Sequence, residues 1–540
     1  MPPSSPVRRT HPGGGRAEAQ GVSPATSTTR RRWVPRLRTA PAATAPATGA
    51  PAPAAPAQVA TTSPAPGAAW TVADPLLHLL RRATYGPTPA SVAAARALGA
   101  GAWLEQQLAP GSIPDPVCDE VVGRLEGLRW EIWEVRDRLS SFGSWTMMGR
   151  LTTAAVARAV WSERQLLEVM VDFWGNHLNA TCPSSEVWDN RAHYDETVLR
   201  RHALGTFSDM LVAATTHPAM LRYLDGASST DRAPNENLGR ELLELHTVGI
   251  GAGYTEADVR TSALILTGLS VNSDSGEYQY KPWNHWVGPV SILGFSHANA
   301  TEVGGHDVAV AYLRHLAAHP STARHLAHKL CVRFVADEPP AALVDRLAAL
   351  YLAEGTAIVP VLRALFTSPE FAASVGAKTK RPYEDLVSTL RVLQVRPEAT
   401  GTKGMDAFGW QAEGLGQRPL AWPAPNGYPD VAAAWQSPAM TLGRWNMHRA
   451  HVDAWWSKEL TRPTPRQLLP ATLPATYGEL VDAMCLRLVQ RTVAAPQRAA
   501  LLAFLGKTAS TAVKPTDGAV QWNLGELAAL ILDSPYFQVR

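Results

Sequence analysis

Residues 235–259 read NENLGRELLELHTVGIGAGYTEADV, and the way this stretch folds sets the reading of the whole chain. At 100° per residue, Leu238, Leu242 and Leu245 fall on one apolar stripe, which predicts a helix. Asn237, Arg240, Glu241 and Glu244 share an arc about 100° wide on another side. His246 lies two residues beyond Glu244 and points about 160° away from it, so the one-helix Glu-x-x-His metal motif is absent. Asn235 or Asn237 is placed to cap the helix, and Thr255-x-x-Asp258 is a capping-box variant that opens the next one. Between them Gly249, Gly251 and Gly253 form a turn, with neither the preceding strand nor the lysine of a phosphate loop.

The same spacing of three and four recurs outward in both directions. LLHLLRRA, RQLLEVMVDFW, EADVRTSALILTG, TARHLAHKLCVRFV and LVSTLRVLQV all carry it, while strand-like alternation is scarce. The expected class is all-α: one large multi-helix body over residues 70–540, with long irregular loops. His217-Pro218, His319-Pro320 and Ser368-Pro369 mark helix boundaries. Residues 271–306 (with YQYKPWNHW) read as a long ordered loop or small hairpin. Residues 400–438, with GLGQRPLAWPAPNGYP, read as a rigid irregular segment.

Residues 1–69 stand apart, being rich in Ala, Pro, Ser, Thr and Gly and without apolar periodicity, and read as a disordered arm. Eight arginines against Glu18 give the arm +7, which leaves about −4 of the chain's +3 for the body. Arginines in such an arm can graze acidic surfaces, yet no specific nucleic-acid binding is expected. Arg30-Arg31-Arg32-Trp33 resembles a twin-arginine signal, but Pro35, Arg36 and Arg38 occupy the place of its apolar run. No transmembrane segment is expected, and the cytoplasm is the default compartment. Cys118, Cys182, Cys331 and Cys485 are far apart, which fits buried apolar side chains better than a zinc ribbon or a disulfide scaffold.

The chemistry-bearing candidates centre on the opening stretch. Glu241, Glu244 and Arg240, joined by His177 of FWGNHLN, are the candidate catalytic residues. Asn176, His202, Asn235, Asn237 and His246 are the candidate binding residues. HLAAH (His315, His319) and HLAH (His325, His328) have spacings that bring imidazoles together. Pro320 separates the two pairs, and Arg314, Arg324, Lys329 and Arg333 make the neighbourhood cationic, so zinc is not expected. Neither a cofactor nor a metal is specified by these residues. No nucleophile elbow or activated cysteine stands out.

Taken in order, HLLRRATYGPTPASV, DFWGNHLN, RRHALGTFSDMLVAATTHPAMLRYLD, PNENLGRELLELHTVGIGAGYTEADV, HPSTARHLAHKL, KTKRPYEDL and GLGQRPLAWPAPNGYP resemble the bacterial domain-of-unknown-function 1800 family over about residues 76–450. The resemblance implies an α-helical unit and no established activity. It also implies relatives that carry export signals and are encoded beside a sulfatase-like family, a protein partner by resemblance only. The family's recurring polar positions fall on Asn176, His177, His202, Asn235, Glu236, Asn237, Arg240, Glu241, Glu244 and His246. The family's H-D-x-G-x-K-T-x-L-G segment is here His285 to Gly294 without the acid and the lysine. Its G-W-P is Gly427-Tyr428-Pro429.

Two readings of function follow. In one, the Glu241/Glu244/Arg240 arc and His177 form the polar site of an enzyme, with a carboxylate as general base or metal ligand. In the other, the same residues are a salt-bridge network in a binding or scaffold module whose Trp- and Pro-rich loops meet a protein partner. A third has the arm tethering the body to acidic surfaces.

Overall fold

The computed structural model describes residues 74–139, 141–455 and 457–540, and the arm expected over 1–69 lies outside them. The described residues are mostly helical, with little strand, as the apolar spacing predicts, and they fall within one compact unit. None of their helices is long and apolar enough to cross a membrane.

Prolines set many of the helix starts, since a missing N–H costs nothing in a first turn. His217 and His319 cap the helices that Pro218 and Pro320 open, their ring Nδ1 atoms accepting from the amides of Ala219 and Ser321. Ser368 does the same ahead of Pro369.

Six helices build the site region: α1 (Gln165–His177), α2 (Phe207–Thr216), α3 (Glu236–Glu241), α4 (Glu256–Leu266), α5 (Pro320–Phe334) and α6 (Pro382–Val392). Asn235 caps α3 by accepting from the amide of Asn237, and Thr255 with Asp258 forms a full capping box on α4. The α3 helix then widens into a π turn over Leu242–His246. Here the expected stripe is corrected. Leu238 and Leu242 are buried as predicted, but Leu243 and His246 complete the core face and Leu245 is left half-exposed. A π turn closes i→i+5 bonds and so adds one residue, which turns everything after it by about 100°. Gly239 lets α3 lie directly on α4, because a Cβ there would sit 2.9 Å from the backbone nitrogen of Ala263.

Residues 271–306 are held by two separate antiparallel hairpins, β1 (Leu269–Val271) with β2 (Tyr278–Tyr280) and β3 (Val290–Ile292) with β4 (Phe295–His297). His285, at the head of the divergent family segment, is buried between the carbonyl of Thr267 and the side-chain oxygen of Asn299, both 2.8 Å from its ring nitrogens.

The region read as irregular over 400–438 begins instead with a helix, Lys403–Gly414. Met405, Phe408 and Ala412 make a buried stripe at spacings of three and four, which the surrounding glycines obscure. Beyond it the chain is irregular and lies on the C-terminal end of α1. Asn179 donates to the carbonyls of Trp422 and Ala424, and the amide of Tyr428 donates to Asn176 Oδ1 at 3.0 Å. Gly427 has φ of 69°, and a Cβ on it would run into the carbonyl of Asn176. Gly427→Ala is therefore expected to destabilise the fold by more than about 1 kcal/mol, read as a lowered urea midpoint with an unchanged slope.

Candidate functional site

α1 brings His177 to its last turn, where Phe173, Trp174 and Phe207 of α2 surround the ring. The ring orientation is fixed from both sides. Its Nε2 is 3.1 Å from the carbonyl of His246, and a carbonyl only accepts, so Nε2 carries the proton. That leaves the Nδ1 lone pair facing Lys329 Nζ of α5 at 2.9 Å. The His246 carbonyl is available because the π turn ends there and no helical amide follows to claim it.

Lys329 is the group that the sequence did not single out. No carboxylate lies within ion-pair distance of it among the described residues, and burial brings its amine down to about 8, the charge of Asp430 opposing. Burial, then Lys329 and His325, hold His177 well below its ordinary range. The same causes, burial first and then Lys329 and His325, bring His246 to about 3. Burial and Lys329 bring His325 to about 4. All three imidazoles are neutral near pH 7, and His177 is the one hydrogen-bonded to the Lys329 amine.

Two cavities meet at Lys329 and Asn426. The inner one, about 300 Å³, is walled by Asp172, Asn176, His177, Arg333, Arg381 and Asp430, with Tyr428 among its remaining contacts. The outer one, about 500 Å³ and shallower, is walled by Glu244, Leu245, Val248, Ile250, Ala252 and His325. Behind the inner wall Glu384, 2% exposed, is ion-paired with Arg333, Arg381 and Arg540. Burial alone would raise the Glu384 carboxyl, and the guanidiniums of Arg333, Arg540 and Arg381 outweigh it and hold it well below the usual range. Asp172 receives Arg381 at 2.7 Å, and Asp430 sits 3.4 Å from Arg333.

Of the sequence-predicted residues, the structure brings together His177, Asn176 and His246, and sets Glu244 on the outer wall beside Lys329. Arg240 turns to Glu256 of α4 through two hydrogen bonds of 2.9 and 2.6 Å, with Glu236 and Glu244 each at 3.6 Å. Glu241 is half-buried, its carboxyl raised by burial and by Glu244 against the pull of Arg240, and it lines neither cavity. Asn235 and Asn237 serve the start of α3, the latter donating to Asp225 at 3.2 Å. His202 is half-buried and lines neither cavity. His315 and His319 serve the carbonyl of Leu293 and the α5 cap. Among the described residues no group of three or more His, Cys, Asp or Glu side chains is arranged to hold a metal.

A larger cleft of about 990 Å³ lies elsewhere, walled by Arg158, Glu168, Glu196 and Arg200 among others. Its main charges are matched, Arg200 gripping both oxygens of Glu168 at 2.8 and 2.6 Å. It offers no polar side-chain atom that is buried without a partner.

The chain belongs to the family described as protein of unknown function (DUF1800), which matches residues 78–539. The match reaches past the last segment that carried the resemblance and takes in the C-terminal helices. No curated protein and no solved structure gives a significant match to the chain.

The neutral histidines carry a pH signature. Each binds its proton far less readily folded than unfolded, so their contribution is full above pH of about 6.5. It is lost as pH falls towards about 4 for His325 and about 3 for His246. Urea midpoints measured between pH 7 and 4 are expected to fall, and His246→Phe is expected to make that fall shallower.

Proposed function

We propose that this family member is an enzyme in which Lys329 is the reacting group, attacking the carbonyl carbon of a small substrate to form an imine. The observation that carries the reading is one arrangement: a half-buried amine brought down to about 8, hydrogen-bonded to a neutral imidazole, on the wall of a cavity of about 300 Å³. A lysine shifted this way has a usable lone pair near neutral pH, which an ordinary surface lysine lacks.

The step balances with one proton from solvent. The fraction of Lys329 present as free amine near neutral pH forms a C–N bond to the substrate carbon through its lone pair. The nitrogen then gives one of its two protons, and the solvent a second, to the carbonyl oxygen, which leaves as water while the nitrogen keeps the iminium bond and its remaining proton. The His246 carbonyl keeps the His177 proton on Nε2, so the Nδ1 lone pair faces and orients the Lys329 amine. Asn426, whose Oδ1 accepts from the Trp422 indole, presents its amide nitrogen at the cavity wall for a substrate oxygen, and Glu244 stands at the rim.

The salt-bridge reading of the signature stretch retains support for its outward face. Arg240, Glu236, Glu244 and Glu256 tie α3 to α4 away from the inner cavity. Arg240→Ala is expected to lower stability by less than about 1 kcal/mol, the range of exposed pairs, and to leave Lys329 reactivity intact.

Reductive trapping tests the enzyme reading. Protein incubated at pH 7.5 with hydroxyacetone and cyanoborohydride, then mapped by peptide mass spectrometry, is expected to carry its adduct on Lys329 ahead of exposed Lys403. His177→Phe is expected to slow that trapping several-fold. Adducts spread over the surface lysines with Lys329 untouched would overturn it.

A further inference from the structure

The surface around Lys329 is mostly carbon in both cavities that it lines. Phe173, Val332, Val431 and the ring of Tyr428 supply it in the inner one, and Leu245 and Val248 in the outer one. Val332 lies one turn beyond Lys329 on the same side of α5.

The charged groups of the inner wall are engaged with one another. Asp172 receives Arg381 at 2.7 Å, and Arg333 is ion-paired with Glu384 and Asp430. Asp337 accepts from Lys378 at 2.5 Å and from the amide of Ala432 at 2.7 Å. The Asn176 amide is closed at both ends, by the carbonyl of Asp172 at 2.7 Å and the amide of Tyr428 at 3.0 Å. The guanidinium nitrogens of Arg333 and Arg381 that make no hydrogen bond are themselves buried, so a ligand in the cavity does not meet them. His328 is exposed. Where the two cavities meet, two groups keep capacity for a ligand: the Lys329 amine and the Asn426 amide nitrogen. One nucleophile and one N–H donor serve one carbonyl group, its carbon to the amine and its oxygen to the amide.

We infer that the substrate is an apolar ketone or aldehyde: a single carbonyl between Lys329 and Asn426, on a hydrocarbon body that carries neither a hydroxyl nor a charge. The inference rests on the imine reading of Lys329 and adds the substrate class to it. A hydroxyl or carboxylate elsewhere on the ligand would leave water for a carbon surface whose polar neighbours are already engaged, and a polar group buried without a hydrogen bond is costly. A methyl group in the same place is favoured by leaving water. The bond-forming step is unchanged: C–N forms, the carbonyl oxygen leaves as water, and the hydrocarbon takes no part in the chemistry.

Matched pairs that differ in one group separate the substrate class from the imine reading. 2-Butanone and hydroxyacetone exchange a methyl for a hydroxyl, and 3-methyl-2-butanone and pyruvate exchange an isopropyl for a carboxylate. Each is incubated with the full chain and cyanoborohydride at pH 7.5, with Nα-acetyl-lysine in the same solution. The rate of Lys329 modification, read by peptide mass spectrometry, is divided by that of the free lysine to remove intrinsic reactivity. The normalised rate is expected to favour the apolar member of each pair by about fivefold or more. Val332→Thr, which sets a hydroxyl on the inner wall, is expected to bring the preference for 2-butanone closer to one. Val431→Thr, outside the helices, repeats the test should the helical variant lose its far-ultraviolet circular dichroism. Equal normalised rates, a faster hydroxylated or charged member, or a preference that the folded variants leave unchanged overturns the apolar class while leaving the imine reading in place. Lys329 unmodified by all four compounds overturns the imine reading itself.

Discussion

Everything around the inner cavity hangs on the carboxylate of Glu384. It is buried, and three guanidiniums from distant parts of the chain converge on it: Arg333 of α5, Arg381 ahead of α6, and Arg540. Arg381 passes on to Asp172 of α1, and Arg333 to Asp430 beside the irregular segment. A charge buried this deeply is tolerated only while its partners are in place, since removing one costs about 3–5 kcal/mol. One carboxylate thus fixes α1, α5, α6 and the segment around Asp430 at a common point. The network gives little net stability relative to a well-packed apolar core, but it dictates which elements meet.

That constraint creates the conditions at Lys329. Both arginines on the cavity wall, Arg333 and Arg381, have carboxylates within ion-pair reach, and Lys329 one turn before Arg333 has none among the described residues. Its positive charge is met by the lone pair of a neutral histidine, which compensates a partly buried ammonium far less than a carboxylate would. The amine is accordingly the most easily deprotonated cation on the wall of that cavity. The neighbouring ion pairs add to this, because they hold Asp172 and Asp430 in contacts with arginine.

The all-α class, the helix boundaries at prolines and the caps at Asn235 and Thr255 were legible in the sequence, because each is decided by local chemistry within a few residues. His177 and Asn176 were legible as site candidates through the family pattern around FWGNHLN. Lys329 was not. In HLAHKL it registers only as one more positive charge, and its distinction depends on what is missing around it in three dimensions. Glu384 and Arg381 lie in KTKRPYEDL, where alternating charge resembles an ordinary solvated helix start, and nothing local signals that the segment is buried. The π turn escaped for a related reason: regular 100° geometry predicts Leu245 for the core, and the departure follows from tertiary packing of Leu243 and His246.

The stretch over 235–259 resolves into two structures on one chain. Its outward face is a lock, with Arg240 joining α3 to the first turn of α4 through Glu256. Its inward face ends in the π turn, and the turn does two things that a continuous α-helix would not. It frees the carbonyl of His246, which fixes the proton on His177 Nε2 and so turns the Nδ1 lone pair towards Lys329. It also rotates Leu245 out of the core and onto the wall of the outer cavity. A structural lock and the proposed site are therefore compatible in this signature. The lock holds α3 in place up to Glu241, and the irregular turn that follows it supplies the carbonyl contact that orients His177 towards Lys329.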